Sequence, residues 1–79
     1  MTTHEQLTDA FADALMIDRS AVTDELAYQS IPAWDSISHM ILITNLEAAF
    51  DVSLTTDDVI ALSSVGKATE ILQNHGINF

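Results

Sequence analysis

The sequence predicts an all-α protein: a small antiparallel four-helix bundle with a long loop between helices 1 and 2 and a short third helix. Three observations predict it. Apolar residues recur at helical spacing nearly throughout, and no segment alternates as a half-buried strand would. Residues that start and stop helices flank the periodic segments. The chain has 79 residues, 48% of them apolar, and no cysteine, so no disulfide or thiolate-rich zinc site reinforces it. A chain this short buries only about 60% of the surface it exposes when unfolded, which leaves helix packing around one thin core as the way to fold. One domain over residues 1–79 is expected.

The first helix is expected from about Thr3 to Ile17. Thr2 with Glu5, or Thr3 with Gln6, is placed to form a capping box. Leu7, Ala10, Phe11, Ala14 and Leu15 fall on one stripe, with Glu5, Asp9 and Asp13 on the other side. From Asp18 to Trp34 the helical pattern stops. Val22, Leu26, Tyr28, Ile31 and Trp34 punctuate this long loop and are expected to pin it to the bundle. The second helix runs from Ser36 to about Phe50, with Asp35 as an N-cap whose charge suits the positive helix end. The third is short, about Thr56 to Leu62, with Asp57 and Asp58 in its first turn. The fourth spans about Val65 to His75, with Ser64 as N-cap and Gly76 as its stop. Its buried stripe is expected to be Val65, Ala68, Ile71, Leu72 and His75.

Charge narrows the partners. Twelve acids face two bases, Arg19 and Lys67, for a formal charge of −10. Phosphate backbones and anionic lipid repel such a surface, so neither nucleic acid nor membrane is expected as a partner. A basic patch is the natural complement, although acidity also serves simply to keep a small domain soluble. The N-terminus, "MTTHEQLTDAF", lacks a basic segment followed by an apolar one. The run Met40-Ile41-Leu42-Ile43 is far too short to span a bilayer. A soluble, cytoplasmic monomer is expected.

The second helix has two apolar faces. On a helical wheel, Leu42, Ile43, Leu46, Ala49 and Phe50 cluster with His39 on an ordinary core face. Ile37, Met40, Ile41, Thr44 and Ala48 stand opposite, with Glu47 and Asp51 at the edge. Either the loop covers this second face or another protein meets it. For Ile41 alone the two are balanced. For the whole stripe a partner surface is the better reading.

"PAWDSIS", residues 32–38, opens that helix, and Ser36 admits three readings. It serves as a helix-start hydroxyl, the commonest role for such a serine. It is a nucleophile with His39, three residues on; but no "GxSxG" is present, the chain leaves little room for a cleft, and His39 falls on the core face. Or it accepts a covalent phosphate ester, which the positive helix end would favour and Asp35 would partly oppose. The histidines His4, His39 and His75 have no metal-like spacing. "DVSLTTDDVIAL" fails as a calcium loop, with Thr56 in place of the glycine and Leu62 in place of the bidentate acid.

At these residues the sequence resembles the acyl carrier proteins. "WDSISHMILITNLEAAFDVSL" carries the family's Asp-Ser-Leu signature with Ile37 for the leucine, and the likeness extends through "TTDDVIALSSVGKATEIL" over nearly the whole chain. The resemblance implies a carrier with no catalysis of its own. Ser36 would bear 4′-phosphopantetheine, donated by coenzyme A through a phosphopantetheinyl transferase, with Asp35 as recognition neighbour. Ile37, Met40, Ile41, Thr44, Glu47 and Ala48 match positions that face partner enzymes. These would be acyl-loading, synthase and acyl-transfer enzymes with basic or apolar docking patches. Leu42, Leu46 and Phe50 would line the interior where some carriers shelter the acyl chain. Carriers of fatty-acid synthesis usually have acids two and five residues after the serine, where this chain has Ser38 and Ile41. Peptidyl carriers usually have Gly-Gly before it, where this chain has Ala33-Trp34. The expectation is a carrier of a specialised, polyketide-like or mixed peptide–polyketide pathway. The rival expectation is an unmodified acidic helical module that only binds a partner.

Overall fold

Each of the four α-helices begins at a side-chain oxygen that accepts the backbone N–H three residues on. Thr2 accepts from Glu5 to start α1 (Thr3–Leu15), and Asp35 accepts from Ser38 to start α2 (Ser36–Phe50). Thr55 accepts from Asp58 for α3 (Thr56–Ala61), and Ser64 from Lys67 for α4 (Val65–Asn74). Such caps contribute about 1 kcal/mol each, because the first N–H groups of a helix have no carbonyl a turn earlier. The computed structural model describes residues 2–79. It contains these four helices and a 3₁₀ turn, Arg19–Ala21, inside the long loop, and no strand among the described residues.

The helix starts fall where expected, and so does the end of α2 at Phe50, whereas the other three ends shift. At the first cap, Thr2 rather than Thr3 is used, and its hydroxyl donates to Glu5 Oε1 at 3.2 Å, so the box is not reciprocated through the backbone. Helix α1 ends at Leu15, not Ile17, because Met16 turns left-handed at φ 55°. Ile17 still packs on the core, which is why the apolar pattern ran on past the helix. Helix α3 stops one residue short of Leu62, and α4 stops at Asn74, ahead of Gly76 at φ 91°. A complete capping box at Thr55 and Asp58 was not foreseen.

The core gathers Leu7, Phe11 and Leu15 of α1, Leu42, Ile43 and Leu46 of α2, and Leu62, Val65, Ala68, Ile71 and Leu72 around α4. Two expected core residues lie elsewhere. Ala49 is exposed, beside a surface groove of about 470 Å³ between α1 and α2. His75 is not on the buried stripe of α4; it sits past the last helical residue and bonds Asp58 at 2.8 Å.

The loop is pinned as expected. Leu26 and Trp34 are buried, and Val22, Tyr28 and Ile31 pack against the core. Its backbone also supplies acceptors to the start of α4. Val65 N–H donates to the Leu26 carbonyl at 2.9 Å and Gly66 N–H to Asp24 at 3.2 Å, while Tyr28 N–H donates to Ser63 at 2.9 Å. The loop therefore closes over the α3–α4 connection and delivers Trp34 into the core just before α2 begins.

Candidate functional site

Ser36 is the first residue of α2 and is exposed. Asp35 Oδ1 accepts the Ser38 N–H at 2.9 Å, and that bond holds the Asp35 carboxyl below its ordinary value of 3.8. The cap therefore stays ionised at neutral pH, next to a hydroxyl at the positive end of a 15-residue helix.

The nearest polar partner of Ser36 is not His39. Ser36 Oγ and the Tyr28 hydroxyl lie 3.1 Å apart, across the loop. Both ring nitrogens of His39 are engaged elsewhere: Nδ1 accepts from Trp34 Nε1 at 3.0 Å, and Nε2 pairs with the Val59 carbonyl at 2.9 Å. A Ser36–His39 pair for nucleophilic catalysis is absent, and His39 is the satisfied histidine that its position on the core face suggested.

The face of α2 opposite the core is open to solvent. Ile37 is 74% exposed, Met40 58% and Ile41 47%, and Thr44 and Ala48 are exposed with them. The loop does not cover them, so α2 is apolar nearly all round but buried on one side only. Glu47 differs from its neighbours: it is half-buried, and its Oε2 accepts the Leu54 N–H at 2.9 Å. Its position therefore also serves the fold, by holding the segment that leads into α3.

Tyr28, the partner of Ser36, also lines a cleft of about 230 Å³ together with His39, Val59, Ile60, Leu62 and Ser63. Ile60 is 75% exposed at its edge. Neither Tyr28 nor Ile60 stood out as a site residue in the sequence. Tyr28 was legible only as a residue pinning the loop, because its partner is eight positions away and meets it through the tertiary fold.

The protein as a whole is acidic, with a formal charge of −10. Arg19 pairs with Asp9 at 2.8 Å and Lys67 with Glu70 at 3.6 Å, so each of the two bases is matched by a neighbouring acid. Among the described residues no group of His, Cys, Asp and Glu is placed to hold a metal ion, and no helix is long and apolar enough to cross a membrane.

No family model matches the chain. Among characterised proteins, it is 31% identical over 70 residues to an acyl carrier protein of Lactobacillus johnsonii, covering 89% of this chain and 88% of that one. It is 29% identical over 72 residues to an acyl carrier protein of Azobacteroides pseudotrichonymphae, covering 90% and 85%. Its fold is similar to the solution structure of holo acyl carrier protein from Geobacter metallireducens, with a TM-score of 0.77, 31% identity, and coverage of 94% of this chain and 85% of that chain. These likenesses run along nearly the full length and agree with the all-helical fold: the chain belongs to the acyl carrier protein family, whose members are carriers rather than enzymes.

Proposed function

We propose that this chain carries acyl intermediates on a 4′-phosphopantetheine group attached to Ser36, and that it does so as a cytoplasmic monomer in a specialised, polyketide-like pathway. The observation that carries the reading is the placement of Ser36: an exposed hydroxyl on the first residue of α2, directly after the Asp35 cap, in a member of this family. The residues present fit the group. The hydroxyl is open to an approaching transferase, the helix end favours a phosphodiester, and the Tyr28 hydroxyl lies within reach. Asp35 opposes a phosphate in part, yet its carboxylate is already occupied by Ser38 N–H.

When attached, the group supplies a thiol that holds the acyl chain as a thioester. The protein's own part is presentation. The helix start holds Ser36 outward, and Ile37, Met40, Ile41, Thr44 and Ala48 form the face that partner enzymes would read, with Glu47 at its margin. Such partners would be the phosphopantetheinyl transferase and the acyl-loading, synthase and acyl-transfer enzymes. A largely apolar docking face, with Ser38 and Ile41 where acids are usual in fatty-acid carriers, supports the specialised-pathway reading. It favours partners whose patch is apolar at its centre and basic at its rim.

The test is intact mass after incubation with coenzyme A and a phosphopantetheinyl transferase. One phosphopantetheine adduct is expected, absent in Ser36→Ala. Folded protein that gains no adduct would instead be an unmodified acidic interaction module. For the pathway, the holo protein should be a better substrate for synthases with apolar docking patches than for fatty-acid synthases with strongly basic ones. The reverse order would return it to fatty-acid synthesis.

A further inference from the structure

Tyr28 occupies an unusual place for a loop tyrosine. Its ring is fixed on two sides, edge-on to Trp34 at 6.3 Å and to His39 at 5.2 Å between centroids. Its backbone N–H is tied to the Ser63 carbonyl at 2.9 Å. Trp34 is itself wholly buried and bonded to His39, so neither neighbour is free to move. The hydroxyl is thus carried on a rigid support, and it ends 3.1 Å from Ser36 Oγ.

We propose that Tyr28 is a positioning residue for the modification of Ser36, selecting one rotamer of the serine and later donating a hydrogen bond to the phosphodiester. This rests on Ser36 being the attachment site. A serine at an exposed helix start otherwise samples its staggered χ1 wells freely. The contact with Tyr28 selects the well in which Oγ faces the loop, toward the tyrosine that also lines the cleft. In the transfer, Ser36 Oγ forms a bond to the phosphorus that carries the pantetheine, and the phosphoanhydride bond of coenzyme A breaks. Adenosine 3′,5′-bisphosphate leaves, and the serine proton passes to a base of the transferase. Before the reaction either hydroxyl can donate to the other. Once Ser36 is an ester it has no proton left, so Tyr28 is the only possible donor of the pair, and an anionic phosphate oxygen is the strongest acceptor within its reach.

Tyr28→Phe tests this, because it removes the hydroxyl and keeps the ring that packs on Trp34 and His39. With coenzyme A and a phosphopantetheinyl transferase, kcat for modification is expected to fall about two- to tenfold, the range covered by one net hydrogen bond, with KM for the carrier unchanged. In the modified protein the ³¹P resonance of the phosphodiester is expected to shift between wild type and Tyr28→Phe. On the unmodified wild type, which needs no variant, the Ser36 Hα–Hβ couplings should report a single χ1 rotamer. An unchanged kcat, an unshifted ³¹P resonance, or rotamer averaging in the wild type overturns the inference. Wild-type protein that takes no adduct overturns the attachment site itself, whereas an adduct formed equally well on both proteins overturns only the role of Tyr28.

Discussion

The Trp34 indole donates its N–H to His39 Nδ1 at 3.0 Å, and His39 Nε2 lies 2.9 Å from the Val59 carbonyl. Trp34 can only donate and a carbonyl can only accept, so the pair of partners selects the His39 tautomer with its proton on Nε2. Val59 lies in the last turn of α3, where carbonyls have no partner within the helix. One imidazole thus joins the end of the loop, the first turns of α2 and the end of α3.

His39→Ala should therefore act on stability rather than on chemistry at Ser36. It strands the buried Trp34 N–H and the Val59 carbonyl, and a buried polar group left alone costs about 1–3 kcal/mol. Urea unfolding should show a loss of at least that size. At a temperature where the variant is folded, Ser36 should still accept phosphopantetheine, and an activated ester should give no burst with either protein. A folded His39→Ala that resists modification would restore a chemical role to the histidine.

Ile41→Glu probes the open face of α2. Ile41 is 47% exposed, and substitutions on such surfaces usually change stability by less than about 1 kcal/mol. The thermal midpoint should move little, while turnover by a partner that docks on α2 should fall severalfold through a higher KM. A loss of stability of several kcal/mol, with partner kinetics intact, would mark Ile41 as a packing residue.

What could be read from the chain divides by the range of the interaction. Asp35 and Ser64 were legible as caps because a cap needs only a short side chain and an N–H three residues on. The buried set on α2 was legible at Leu42, Ile43 and Leu46, where helical period and burial agree. Met16 hid the end of α1, since a left-handed residue other than glycine or asparagine gives no compositional signal. Ala49 and His75 were misplaced for related reasons. A wheel assigns a face but not whether a neighbour covers it, and it assumes a register that α4 loses after Asn74. The exposed serine was legible from its motif. The Tyr28 hydroxyl beside it was not, because that contact exists only once the loop has packed on Trp34 and His39.

Glu47 lies at the margin of the docking face and also holds the Leu54 N–H, so its two roles call for two substitutions. Glu47→Gln keeps an acceptor oxygen and removes the charge. Glu47→Ala removes both. If the carboxylate serves mainly the fold, Ala should lower stability by about 0.5–1.5 kcal/mol or somewhat more, with Gln close to wild type and partner kinetics unchanged in both. If partners read the charge, Gln should raise KM as much as Ala does. Denaturant midpoints and partner KM values, measured on both variants, separate the two.

Asp58 gives the acid limb of stability a specific cause. Its carboxylate faces His75 Nε2 at 2.8 Å and accepts the Thr55 N–H at 3.1 Å, joining the start of α3 to the end of α4. The His75 contact first, and the Thr55 N–H second, hold its pKa below the ordinary 3.8. The folded chain thus prefers the ionised form more strongly than the unfolded chain does. The resulting stabilisation is complete above 3.8 and disappears as pH falls through the lower folded value. Comparing the thermal midpoint of wild type with that of Asp58→Asn isolates this group from the relief of repulsion among the other acids, which both proteins share. The gap between them should be present at about pH 5 and close as the pH falls below 3.8. A gap that stays constant across that interval would mean the bond to His75 does not depend on the charge of Asp58. The closure of α3 onto α4 would then rest on packing and neutral hydrogen bonds alone.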